Sequence, residues 1–61
     1  MKECFTLWFQ DGGGRTFING RRELREFAKR FDFDADEVIN KGETFIEDDA
    51  ETIGGVFRET A

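Results

Sequence analysis

The chain has 61 residues, including eight phenylalanines, one tryptophan and one cysteine but no histidine or proline, and its formal net charge is −5. A single cysteine excludes an internal disulfide, and the lack of histidine excludes an ordinary zinc site. No apolar run approaches the roughly 18 residues of a membrane span, and the N-terminus carries no signal-peptide pattern. We therefore expect one cytoplasmic domain over residues 1–61, with no cofactor and no membrane partner.

The first predicted element is a β-hairpin. The stretch "CFTLWFQ" at 4–10 alternates, with Phe5, Leu7 and Phe9 on one side, and a period of two indicates a strand. The "DGGG" at 11–14 predicts the turn, because glycine readily adopts the positive φ that hairpin turns require. "RTFI" at 15–18 predicts the returning strand, with Phe17 on the side of Phe5.

Trp8 lies on the opposite side of this hairpin, together with Cys4, Thr6 and, by the same assignment, Ile18. An antiparallel sheet covered by a helix on one face can leave the other face open. Either the short second helix or the C-terminal segment covers the Trp8 side, or that side is an interface. Tryptophan is enriched at interfaces, and the occupant would then be a homodimer partner or another protein.

An amphipathic helix follows Gly20. Leu24, Phe27, Ala28 and Phe31 have the i, i+3, i+4, i+7 spacing of one buried helix face. Four basic residues form a stripe beside that face: Arg21, Arg22, Arg25 and Lys29. We interpret this basic stripe as a solvated surface or, in an alternative function, as a contact for nucleic acid.

The stretch "DFDADEVINKGE" at 32–43 resembles an EF-hand calcium loop. The matching ligand positions hold Asp32, Asp34, Asp36, Val38 through its carbonyl, Asn40 and Glu43. The resemblance extends from Arg22 to Glu43 and implies a calcium-responsive domain. Two features depart from the family: Glu37 stands where a glycine makes the sharp turn, and no exiting helix follows.

A short helix over residues 35–41 explains the same stretch with fewer exceptions. Asp34 is then the N-cap and Glu37 the third helical residue, the arrangement of a capping box. Lys41 falls in the last turn and Gly42 ends the helix. We therefore predict a helix start and no metal site, with weak cation binding by the carboxylates as an open alternative.

The C-terminal part predicts a second hairpin. "ETFIE" and "TIGGVFRE" are the strands, the acidic turn lies between them, and Gly54-Gly55 indicates a bulge or a close backbone approach. The complete prediction is an α+β domain of order β-β-α-β-β, with one main helix on one face of an antiparallel sheet and a short helical turn near 35–41.

Charge and chemistry limit the function. Residues 1–31 carry seven basic and four acidic side chains, whereas residues 32–61 carry two basic and ten acidic ones. With no histidine or tyrosine, the usual catalytic base and nucleophile pairs cannot be assembled, so we predict that the chain is not an enzyme. The acidic surface predicted to bind a partner consists of Glu43, Glu47, Asp48, Asp49 and Glu51, joined by Trp8.

In size, acidity and lack of catalytic groups, the chain is similar to small phage and mobile-element inhibitors, including anti-CRISPR proteins. That resemblance rests on no motif. It implies a non-enzymatic protein-binding module whose carboxylates imitate a phosphate backbone in the basic groove of a nucleic-acid-handling protein. The alternatives are a small nucleic-acid-binding or regulatory domain that uses the basic stripe, and the calcium-responsive domain.

Overall fold

The computed structural model describes residues 3–59, and this part of the chain forms four strands and two helices. In chain order they are β1 (Cys4–Phe9), β2 (Arg15–Asn19), α1 (Arg21–Phe31), α2 (Ala35–Lys41), β3 (Glu43–Asp48) and β4 (Glu51–Arg58). The predicted α+β class is confirmed. The predicted order is wrong in one respect, because residues 35–41 form a second helix in their own right and the order is β-β-α-α-β-β.

The four strands form one antiparallel sheet in the order β2-β1-β4-β3. The first and last strands of the chain are therefore neighbours at its centre, where Leu7 of β1 lies opposite Val56 of β4. Strands β2 and β3 are the two edges. Each hairpin thus contributes one central and one edge strand.

Both helices pack on the same face of the sheet and enclose the core. The buried hydrophobic residues are Phe5, Leu7, Ile18, Leu24, Ala35, Val38, Ile46 and Val56. The predicted apolar face of α1 is confirmed: Leu24 is fully buried, and Phe27, Ala28 and Phe31 pack against the core while remaining partly exposed. The ring of Phe31 lies 5.5 Å, between centroids, from that of Phe9 in β1.

The predicted orientation of β2 is wrong. Phe5 lies opposite Ile18 and Thr6 opposite Phe17, so Ile18 shares the helix-covered face with Phe5. Ile18 is completely buried, whereas Phe17 is 67% exposed on the other face. A shift of one residue moves every side chain of a strand to the opposite face, and β2 has two adjacent apolar residues that fit either orientation.

The caps of α2 confirm the helix predicted at residues 35–41. The Asp34 side chain accepts a hydrogen bond from the Glu37 N–H at 3.1 Å, and Gly42 ends the helix at φ 92°. The reciprocal half of the capping box is absent, because the Glu37 carboxylate instead accepts a hydrogen bond from the Thr44 hydroxyl at 2.6 Å. This bond ties the first turn of α2 to β3.

Gly54 and Gly55 combine the two features predicted for them. The register slips between Ile46 and Glu47, which pair with Gly54 and Thr52, so Ile53 is an extra residue in β4. A Cβ atom on Gly54 would overlap the Trp8 carbonyl oxygen, and one on Gly55 would lie 3.0 Å from the Trp8 indole. The glycines therefore allow β1 and β4 to pair closely, with the indole resting on β4.

Candidate functional site

The face of the sheet that the helices leave uncovered carries one aromatic residue from each strand. In the register of the strands, Phe17 of β2 and Phe57 of β4 lie on either side of Thr6. In the same way, Trp8 of β1 and Phe45 of β3 lie on either side of Gly55. We call these four aromatic residues the open aromatic face. Phe17 and Phe45 are its most exposed members, at 67% and 57%.

Thr6, at the centre of this face, is fully buried although no helix covers it. Its neighbours across the strands are Phe17 and Phe57, which place an aromatic side chain on each side of it. Its hydroxyl donates a hydrogen bond of 2.5 Å to the carboxylate of Glu59. The open aromatic face therefore has a satisfied polar group at its centre and a carboxylate at one end.

Trp8 lies over Gly55 of β4 on this face. A Cβ atom added to Gly55 would lie 3.0 Å from the Nε1 and Cζ2 atoms of the indole, so a larger residue at this position would require the ring to shift. Neither the second helix nor the C-terminal strand covers Trp8, because α2 packs on the core side and β4 lies within the sheet. Of the two alternatives for the Trp8 side, cover by one of these elements is therefore excluded for residues 3–59.

The structure brings two members of the acidic set onto the same face as Trp8. β3 alternates regularly: Thr44 and Ile46 are buried on the helix-covered side, and Glu43, Phe45 and Glu47 are exposed. Glu43 and Glu47 therefore flank Phe45 on the uncovered side. Sequence reasoning treated the acidic surface and the Trp8 surface as separate candidates, whereas β3 joins them.

The other three acidic residues lie at the end of the second hairpin. Asp48 is the last residue of β3, Glu51 is its partner in β4, and Asp49 lies in the turn between them. Asp49 and Ala50 have φ values of 50° and 66°, as the two central residues of a primed hairpin turn do. These three residues are exposed and extend the negative charge beyond the open aromatic face.

The basic stripe of α1 is partly neutralised by carboxylates. The Arg21 guanidinium contacts Glu3, and Arg25 Nη2 lies 3.1 Å from a carboxylate oxygen of Asp36. Arg22 and Lys29 complete the predicted set, and both are exposed. Two of the four cations that would contact phosphate groups are therefore already paired within the protein.

Residues 32–43 do not adopt the loop of an EF-hand. Asp32, at φ 58°, ends α1, and Asp34 caps α2. The Val38 carbonyl, which would ligate calcium in such a loop, accepts a hydrogen bond from the Gly42 N–H at 2.9 Å. Within residues 3–59, no three His, Cys, Asp or Glu side chains form a group that could hold a metal ion.

Sequence reasoning missed Phe17, Phe45 and Phe57 as members of the candidate site. "ETFIE" and "RTFI" each contain two adjacent apolar residues, so alternation alone does not say which one faces the core. The charged flanks of Phe45 were the available signal: a strand with glutamate at 43 and 47 is expected to expose residue 45 with them.

Neither helix in the part of the chain that the structure describes is long and apolar enough to cross a membrane. Comparison with known proteins gives no family model, no curated protein and no solved structure that matches this chain.

Proposed function

We propose that the protein is a non-enzymatic protein-binding module whose interface is the open aromatic face with Glu43 and Glu47. The observation that carries this proposal is the placement of Phe17, Trp8, Phe45 and Phe57 together on the one sheet face that no helix covers. A contiguous exposed apolar patch rimmed by polar groups is the usual mark of an interaction surface in a small protein.

Charge favours a protein over a nucleic acid as the partner. The described charged residues of this face are Glu43, Glu47, Glu59 and Arg15, so carboxylates outnumber the single guanidinium. Exposed aromatic side chains on a sheet can also stack on bases, but such sites follow the phosphate backbone with a positively charged groove. The acidic rim repels phosphate and complements a basic protein surface.

The cytoplasmic location and the inhibitory activity of such a module are predictions from composition. An inhibitor from a phage or mobile element, anti-CRISPR proteins included, would use this same face to occupy a basic groove of its target. The nucleic-acid-binding alternative requires the basic stripe, and the pairing of Arg21 with Glu3 and of Arg25 with Asp36 weakens its support.

Affinity capture from a lysate of the source organism, carried out with and without nuclease treatment, tests the proposal. The face variant combines Phe45→Ser with Glu47→Lys, and the control combines Arg22→Glu with Lys29→Glu on α1. We expect a partner that the wild type and the control retain and that the face variant loses. Binding should weaken at high salt, because exposed charges are screened over about 8 Å at physiological ionic strength.

A partner that the face variant retains and the control loses would contradict the proposal and place the interface on α1. Both variants alter exposed residues, so circular dichroism should show the same folded spectrum for each. Capture that disappears on nuclease treatment would favour the nucleic-acid alternative.

A further inference from the structure

The outer edge of β3 offers unpaired backbone groups. The Arg58 N–H donates to the Gly42 carbonyl at 2.8 Å, so this carbonyl points towards β4. Thr44 and Ile46 are the next alternate residues, opposite Val56 and Gly54, and direct their backbone groups the same way. In an antiparallel pair, alternate residues direct both backbone groups to the neighbouring strand. Residues 43, 45 and 47 therefore direct theirs away from β4, and no hydrogen bond within residues 3–59 occupies that edge.

A depression follows this edge between β3 and the start of α2. Two phenylalanines, four carboxylates and a threonine line it: Phe33, Phe45, Asp32, Asp34, Glu37, Glu47 and Thr44. No basic side chain is among them. Phe45 and Glu47 belong both to this depression and to the uncovered face of the sheet, so a segment lying along β3 would meet carboxylates on both of its sides.

We propose that an extended basic segment of the partner protein binds along β3 as a fifth strand of the sheet. This deepens the proposed function and rests on it. The partner's main chain would pair with the outward backbone groups of residues 43, 45 and 47, as in other cases of strand addition to a sheet edge. Its lysine or arginine side chains would lie beside Glu43 and Glu47, with an apolar side chain beside Phe45.

Charge selects this occupant over a second copy of the chain. If two β3 strands paired antiparallel around Phe45, each Glu43 would lie directly opposite the other copy's Glu47. Like charges in directly opposed positions destabilise an antiparallel pair, whereas a lysine in the same position stabilises it. The other edge, β2, is less suited to a basic segment, because Arg15 lies on its exposed side.

The test uses a blocked heptapeptide with lysine at its second and sixth positions, valine at its fourth and threonine elsewhere, so that lysine, valine and lysine can lie opposite residues 47, 45 and 43. This lysine–valine peptide is added to the 15N-labelled protein and followed by NMR. We expect saturable binding, with the largest amide shifts at Glu43, Phe45 and Glu47. A peptide of the same sequence, N-methylated on its two lysines and its valine, keeps the charge but loses the N–H groups that would face β3. The methylated peptide should bind at least roughly tenfold more weakly, because the strand hydrogen bonds cannot form.

Two protein variants separate strand pairing from general attraction. Glu47→Lys should weaken binding of the lysine–valine peptide several-fold, whereas Glu26→Lys, which changes the net charge equally but lies on α1, should have little effect. A glutamate–valine peptide should not bind.

Equal affinity for the methylated and unmethylated peptides, no binding of either, or shifts confined to β2 would each overturn the strand-addition proposal. So would a stable dimer of the free protein with the β3 amides protected from solvent exchange. None of these results would affect the partner capture that tests the proposed function, so the two proposals can fail separately.

Discussion

The two faces of the sheet carry aromatic and aliphatic side chains from the same strands but bury them very differently. Phe5 of β1 is 0% exposed beneath the helices, whereas Phe17, on the strand next to it, is 67% exposed on the other face. Leu7 and Trp8, successive residues of β1, show the same contrast, because Leu7 lies in the core and Trp8 lies on the uncovered face. Apolar character alone therefore does not distinguish core from interface here; strand register and the position of the helices do.

The largest effect is expected from truncation of the covered face. Leu24→Ala removes a completely buried side chain of α1, at a cost of about 2–5 kcal/mol. This rivals the roughly 3–5 kcal/mol that a single core of this size supplies, so the variant should be largely unfolded at room temperature. Urea unfolding followed by circular dichroism measures the loss.

Phe27→Ala is the matched comparison for Leu24→Ala. Phe27 is only partly buried and stacks on Phe31 at a centroid distance of 6.0 Å, so its loss should destabilise less. A well-dispersed NMR spectrum for Leu24→Ala together with an unfolded Phe27→Ala would show that the centre of the core is misplaced.

Substitutions at Gly54 and Gly55, which are adjacent in β4 but lie on opposite faces, allow the two faces to be compared. Gly54→Ala would force a methyl group into the Trp8 carbonyl and the Phe9 ring, and strain of this kind costs about 1–3 kcal/mol. Gly55→Ala meets the Trp8 indole on the uncovered face, where the ring has room to move, although the Thr44 carbonyl is also 3.0 Å away. We expect the larger loss of thermal stability from Gly54→Ala; the reverse order would contradict the assignment of faces.

A smaller effect is expected at the N-terminus of α2, which belongs to the covered side. Asp34→Ala removes the acceptor for the Glu37 N–H and should cost about 1 kcal/mol in chemical denaturation. Asp36→Ala changes the charge equally, but its carboxylate forms an ion pair with the exposed Arg25, so it should cost less. Equal costs for the two variants would argue against Asp34 as the cap.

The smallest effect on stability is expected on the open aromatic face. Phe17→Ser should change the free energy of unfolding by about 0.5 kcal/mol or less, as is typical of an exposed position. A loss comparable with that of Leu24→Ala would mean that another segment or a second copy covers this face in solution. Thermal unfolding at two protein concentrations separates those cases, because a dimer makes the midpoint depend on concentration.

Local signals in the sequence were sufficient for α2 but not for β2. The helix over residues 35–41 was predicted with its observed bounds because Asp34 and Gly42 determine its ends through bonds to nearby residues. The orientation of β2 depends on how Phe5 aligns with Ile18 across a loop, and nothing in "RTFI" encodes that alignment. The hairpin was therefore predictable, whereas the face occupied by Phe17 was not.

The candidate site shows the same limit. Trp8 and the acidic residues were identified from residue type, but their meeting on one face depends on β4 lying between β1 and β3. That strand order results from packing of the two hairpins, which are far apart in sequence. The basic stripe was proposed from helix spacing, and only the structure shows that Glu3 and Asp36 form ion pairs with Arg21 and Arg25.

The most direct test of the uncovered face as the binding surface is the broadening of aromatic ring protons by a neutral, soluble paramagnetic agent. In the free protein, the signals of Phe17 and Phe45 should broaden strongly while those of Phe5 remain sharp. Addition of the lysine–valine peptide should then protect Phe45. If Phe17 and Phe45 were as protected as Phe5 in the free monomer, the face would be covered, and the account of this protein as a module that binds through it would be wrong.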